Sequence, residues 1–369
     1  MGLYLLLVLS LSLSYYGVGE GRTAMRSIQQ SDERDFDCVD IYKQPAFDHH
    51  LLKNHKVQLL ERNDLSLGKL SKIGLQDEGC PPGMVPIQRI KSNLRNANSP
   101  SKSHLGNFHR LTTEYTHQHF AQLFTKVNQN QTYHGARATM DVHDPQVGPD
   151  QFTMAQIWVQ NGPTPELNSI QAGWAVHPQL YGDSNAHLTT FWTADNFGNT
   201  GCYNAGLQCS GFVQVSAQLY PGLAFPAAST YHGEQHTADL SIIQDKFSGN
   251  WWLMTIGTVA IGYWPKELFT HLSNEATIVK FGGLTFSYPD PIYPPMGNGY
   301  FPTRDLTGAC YFLRMTTVDS GYNEVNLDQN QMDTFVSNSS CYNLEYFGDF
   351  GRDVGHTISF GGPGGECGI

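Results

Sequence analysis

The chain has 369 residues, a formal net charge of −11, 40% hydrophobic and 12% aromatic side chains, and 15% charged ones. That acidic balance argues against a nucleic-acid partner. The length fits two domains, or one large β domain with an extension, and a composition rich in Gly and aromatics fits pleated strands joined by tight turns.

In chain order, the apolar run L-Y-L-L-L-V-L-S-L-S-L-S is too short to cross a bilayer and is followed by V-G-E-G-R. It predicts a signal peptide over 1–21 and an exported, extracellular protein. No later run reaches the roughly 20 apolar residues of a membrane helix. From 22 to 135 the chain is polar and rich in His, Asn, Lys and Gln. Within it, 89–103 reads as an exposed linker open to cleavage. Beyond 135, runs rich in β-formers predict strands at 152–159, 188–193, 211–219, 236–243, 251–261, 276–286, 309–317 and 356–360. Residues 246–250 read as a hairpin turn. Residues 265–274 predict a short helix, with Pro265 at its start and Leu268, Phe269 and Leu272 on one face. Short strands with Gly and Pro between them predict an all-β fold. It is an antiparallel β-sandwich of two packed sheets over 136–369, preceded by a smaller N-terminal pro-domain over 22–135.

There are seven cysteines and no C-x-x-C pair, which argues against zinc or thioredoxin-like chemistry. Six cysteines can pair in 15 ways. Cys202 and Cys209 are close enough in sequence to staple a hairpin, and Cys310 in A-C-Y-F-L reads as a buried free thiol. Asn130 and Asn338 head glycosylation sequons. Protonating all 15 His would move the net charge from −11 to +4, so surface charge depends strongly on pH. His232 and His236 read as surface or hydrogen-bonded residues. No metalloprotease helix, nucleophile elbow, phosphate loop or other cofactor motif is present. Trp174, Trp192, Trp251, Trp252 and Trp264 are expected mostly in the core, with one or two at a binding surface.

Five strings then stand out in order: I-Q-A-G-W, L-Y-G-D, F-W-T-A-D, G-N-W-W-L and I-G-Y-W-P. With D-C-V-D-I-Y-K-Q-P-A-F-D and C-P-P-G-M-V-P-I-Q-R upstream, the chain resembles the neprosin family of secreted plant glutamic endopeptidases. The resemblance implies an activation segment that covers the catalytic domain and is removed. It also implies disulfides Cys38–Cys80, Cys202–Cys209 and Cys341–Cys367. Active members carry one glutamate in I-x-x-G-W and a second after an aromatic-G-G string. Those positions read here as Gln171 and Leu284.

A glutamic peptidase needs one carboxyl to take a proton from water and another to polarise the carbonyl or protonate the leaving nitrogen. Gln171 keeps the shape of glutamate without its proton chemistry, and Leu284 has no polar atom to offer. The sequence therefore implies a catalytically inactive homologue that binds a peptide or proline-rich protein, without cofactor or metal. The alternatives are an active acidic endopeptidase cutting near proline by a modified mechanism, and a carbohydrate-binding sandwich.

Overall fold

A computed structural model describes residues 35–60, 79–89, 117–128, 131–203, 209–256, 259–351 and 353–368. The predicted signal segment, most of the predicted linker and Asn130 lie outside these residues. The strands are β1 (Phe36–Asp40), β2 (Met84–Gln88), β3 (Gln118–Thr125), β4 (Gly135–Asp141), β5 (Gln151–Asn161), β6 (Asn168–Val176) and β7 (Ala186–Thr193). They continue as β8 (Cys202–Tyr203), β9 (Val213–Gln214), β10 (Thr237–Gln244), β11 (Trp251–Thr255), β12 (Val259–Trp264), β13 (Ile278–Ser287) and β14 (Ile292–Tyr293). The last are β15 (Tyr311–Val318), β16 (Glu324–Asn326), β17 (Met332–Val336), β18 (Asn343–Asp349), β19 (His356–Gly361) and β20 (Gly365–Glu366).

Two antiparallel sheets carry the fold. One has seven strands in the order β17-β3-β13-β5-β6-β7-β8. The other has nine, running β18-β19-β15-β4-β10-β11-β12-β9 with β16 beside β15. Alternation along each strand decides which side chains face inward. Ala155, Ile157 and Val159 of β5 and Ile170, Ala172 and Trp174 of β6 meet Ala138, Met140, Leu240, Ile242 and Phe312 of the opposite sheet in one core. The all-β sandwich class is thereby established.

Between β10 and β11 the turn forms where expected. Asp245 accepts from Ser248 N at 2.7 Å and Gly249 sits at φ +77°. Elsewhere the structure departs from the sequence reading. The run 211–219 yields the two-residue strand β9 alone. The run 251–261 is two strands, β11 and β12, folded back so that Trp251 pairs Trp264. Residues 265–274 make a single 3₁₀ turn at Lys266–Leu268 instead of a helix. The reason is Asn168, whose Oδ1 takes the amides of His271 and Leu272 at 2.7 and 3.1 Å and so removes them from any helical ladder. Leu268, Phe269 and Leu272 are buried all the same.

Strand β3, in the stretch read as pro-segment, is an integral member of the seven-stranded sheet between β17 and β13. Of the N-terminal part before it, the described residues around Gln44 to His55 pack on the outer face of the other sheet. Ala46 joins Val213, Trp252 and Tyr263 in a small cluster. The Gln44 amide bridges to Gln214 in both directions, at 3.0 and 2.7 Å, and His55 Nε2 bonds the Tyr263 hydroxyl at 2.8 Å. Disulfides join Cys38 to Cys80, Cys202 to Cys209 and Cys341 to Cys367, and Cys310 is a buried free thiol.

The glycine of I-Q-A-G-W has a steric cause. A Cβ on Gly173 would overlap the Ala155 carbonyl oxygen and crowd Gln156 Cα at 2.7 Å, both backbone atoms of the neighbouring strand. Gly173→Ala is expected to destabilise the protein by about 1–3 kcal/mol. Urea unfolding should show a lower midpoint at unchanged slope; an unchanged midpoint would refute the close approach.

Candidate functional site

The outer face of the seven-stranded sheet is built from the residues that alternate with the core positions. On β5 these are Phe152, Met154, Gln156 and Trp158. The face is apolar for most of its extent, and Phe152, Met154, Trp158, Ala175, Tyr181, Leu284 and Phe286 form a cluster separate from the core. Phe152 stacks on Phe286 at 4.9 Å and on His177 at 4.6 Å. Nearly every residue of β5, β6 and β7 is buried, so this face too is largely removed from water.

Strand register arranges the polar residues in rows. Gln171 on β6 stands opposite Trp158 on β5, which stands opposite Lys280 on β13. The next row is Gly173, Gln156 and Gly282. The third is Ala175, Met154 and Leu284. Gln171 and Leu284 are thus two strands and four residues apart, about 16 Å between Cα atoms at ordinary strand spacing and rise. Gln171 and Lys280 share a row about 10 Å long. Two groups that share one water must stand close enough to reach it together. The register puts positions 171 and 280 in one row and positions 171 and 284 on a diagonal of the same face, where two glutamate-length side chains would still leave room for one water between them.

Gln171 is buried, and its amide nitrogen donates to Ser169 Oγ at 3.3 Å. Ser169 Oγ also accepts from Gln160 Nε2 at 3.0 Å. No hydrogen bond among the described residues uses the Gln171 carbonyl oxygen. Gln156 is fully buried, and neither end of its amide has a partner. Its row neighbours, Gly173 and Gly282, have no side chain to supply one. Lys280 is half-buried between Val279 and Phe281 of the core-facing register, and burial lowers its pKa. Leu284 packs in the apolar cluster. The acid on this face within the strands described is Asp333 on β17, across Phe124 from Lys280.

Gln156 and Lys280 were not singled out by the sequence. The signal for Gln156 was present: it is the polar residue among Met154, Trp158 and their apolar neighbours in F-T-M-A-Q-I-W-V. Lys280 becomes visible through strand pairing alone. The five tryptophans read as core or surface are all buried, and the tryptophan on the outer face is Trp158. Trp174, Trp192 and Trp251 are held in place by indole hydrogen bonds to Asp141 O, Ser210 O and Leu272 O. The L-Y-G-D string is a short helix, Pro178–Tyr181, closed by Gly182 at φ +81°. Asn338 donates its side-chain amide to Cys367 O at 2.6 Å. His232 lies beside Asp305 and Thr307, and His236 beside Glu234.

A second polar cluster lies between the sheets. Asp141 Oδ2 meets His143 Nε2 at 2.5 Å, and Ser229 Oγ donates to Asp141 Oδ1. Cys310 Sγ lies 3.9 Å from the Asp141 carbonyl oxygen. Ligand-type atoms of Asp141, His143 and Cys310 come within 4.8 Å of one another. Both carboxylate oxygens are nevertheless engaged, and burial pushes the Cys310 thiol up, away from the thiolate that binds metal. The cluster ties β4 to the 229 loop.

These features define an antiparallel sandwich whose seven-stranded sheet presents an apolar outer face with a few convergent polar side chains. Residues 149–363 match the family described as Neprosin, and residues 27–139 match the Neprosin activation peptide. The chain belongs to the neprosin family. Among solved structures it is similar to scytalido-glutamic peptidase bound to a peptide-based transition-state analogue. That match has 15% identity and a TM-score of 0.35, over 66% of this chain and 97% of the other. It is also similar to SCP-B, a member of the eqolisin family of peptidases in complex with the tripeptide Ala-Ile-His. There the identity is 13% and the TM-score 0.34, over 66% and 97% of the two chains.

His177 gives the face a pH dependence. Burial lowers its pKa to about 3. In the unfolded chain it takes a proton near pH 6.5, so stability is full above that value and is lost as pH falls from 6.5 towards 3. At pH 4 the loss from this group alone is up to about 3 kcal/mol. His177→Phe should lose less stability between pH 7 and pH 4 than the wild type, measured by urea unfolding at both. Equal losses would show that His177 is not the group responsible.

Proposed function

We propose that this is a secreted neprosin-family protein that binds peptides on the outer face of its seven-stranded sheet and does not cleave them. The observation that carries this reading is the row Gln171–Trp158–Lys280. A shared water at that row would meet an amide at one end and an ammonium at the other. Neither can act as the general base of a glutamic peptidase at working pH. Leu284, after the Phe281-Gly282-Gly283 string, offers no polar atom at the position where the family carries its second carboxyl. Trp158 and the Phe152–Phe286 stack offer flat apolar surface suited to extended, proline-rich chains. The face is buried in the full chain, so peptide binding requires that it be uncovered. The disulfides fit an exported protein.

The test is an endopeptidase assay on the chain nicked within 89–103, with a proline-containing fluorogenic peptide from about pH 2.5 to 6. Wild type is expected to be silent. Gln171→Glu/Leu284→Glu should gain at least about 100-fold over that background, the span of one general acid–base group. Gln171→Glu alone should stay silent. A wild type that cuts as fast as the double variant would sink the reading and support an active acidic endopeptidase with its carboxylate elsewhere.

A further inference from the structure

The chemistry around Lys280 narrows the class of peptide. Lys280 lies on β13, with β3 on one side and β5 on the other. Its row neighbours are Phe124 and Trp158, and Gly282 follows it on the same face. Among the described residues its ammonium has no ion pair and no hydrogen bond. Asp333, the acid in its row, lies two strands away beyond Phe124, and its carboxylate accepts from Thr334 N at 2.8 Å. Burial lowers the Lys280 pKa with no opposing charge acting on it.

A half-buried cation without a counterion is costly, and an outside anion removes that cost. The two glutamines nearby complete the site. Gln156 presents an unpartnered buried donor and acceptor, and Gln171 a carbonyl oxygen outside the hydrogen bonds described. An amide of that kind matches the N–H and C=O of an extended peptide main chain. The unpaired Gln156 amide alone costs about 1–3 kcal/mol in the free protein, a cost that a bound main chain would offset.

We propose that this face selects peptides carrying a carboxylate, which seats on Lys280 while Gln156 and Gln171 hold the peptide main chain. This rests on the peptide-binding reading above. The carboxylate is that of an Asp or Glu side chain or of a free C-terminus; the ammonium recognises both by the same charge-assisted hydrogen bond.

Three labelled hexapeptides separate the cases by fluorescence anisotropy, on the full chain before and after trypsin nicking within 89–103. One is a Pro/Gln peptide with an amidated C-terminus, the second replaces one Gln by Glu, and the third is the Pro/Gln peptide with a free C-terminus. At least one carboxylate-bearing peptide is expected to bind tenfold or more tighter than the neutral one, and which one identifies the source. Lys280→Met should abolish the preference and Lys280→Arg should keep it, with urea unfolding confirming that both variants fold. If all three peptides bind the wild type equally, the carboxylate inference is overturned and the peptide-binding reading stands. If none binds in either form, both are overturned.

Discussion

The pairing of β5 with β6 on one edge and with β13 on the other fixes what this face can do. Antiparallel register places side chains in rows, and a shift of one residue would send the whole set to the opposite face. Here that register is pinned from both sides. The inner residues of β5 and β6 are locked into the core, and Gly173 lets the two backbones approach more closely than any side chain would permit. The positions of Gln171, Trp158 and Lys280 follow from that constraint without further adjustment. The chemistry of the face is then a question of which three side chains occupy one row.

The same constraint explains why the central strands lose their alternation of burial. A sandwich sheet with one wet face alternates apolar and polar residues. In β5 to β7 both faces are apolar or neutral, because the outer face has its own cluster around Phe152, Trp158 and Phe286. Polar groups on such a face are few and poorly solvated, so each has a large effect. A buried amide without partners and a lysine without an acid are costly in the free protein. They become favourable only against something that supplies the missing partner.

Much of the fold was legible in the amino-acid order. Strands at 152–159, 188–193, 236–243 and 276–286 follow from β-branched and aromatic runs, and the Asp245–Asn250 turn follows from its Ser and Gly. What failed to show was decided by tertiary contacts. Asn168 takes two amides that a helix at 265–274 would have needed. Strands β3 and β4 lie in polar surroundings, and it is their partners β13 and β10 that make them strands. The site was half legible. Gln171 is marked by its motif, and Gln156 by its polarity in an apolar run. Lys280 is separated from Gln171 by 109 positions, and only the pairing through β5 brings the two into one row.

An ammonium in the Gln171 row sets the local sign of charge on a face that is otherwise apolar. A general base needs a lone pair at working pH, and a protonated lysine has none to give. Lys280 therefore gives this part of the face an attraction for negative charge. In a face with so little competing polarity, and with the chain's net charge of −11 carried elsewhere, an isolated cation is a local recognition element and has no part in long-range steering. The local charge of the face is then decided by one residue at the end of the Gln171 row.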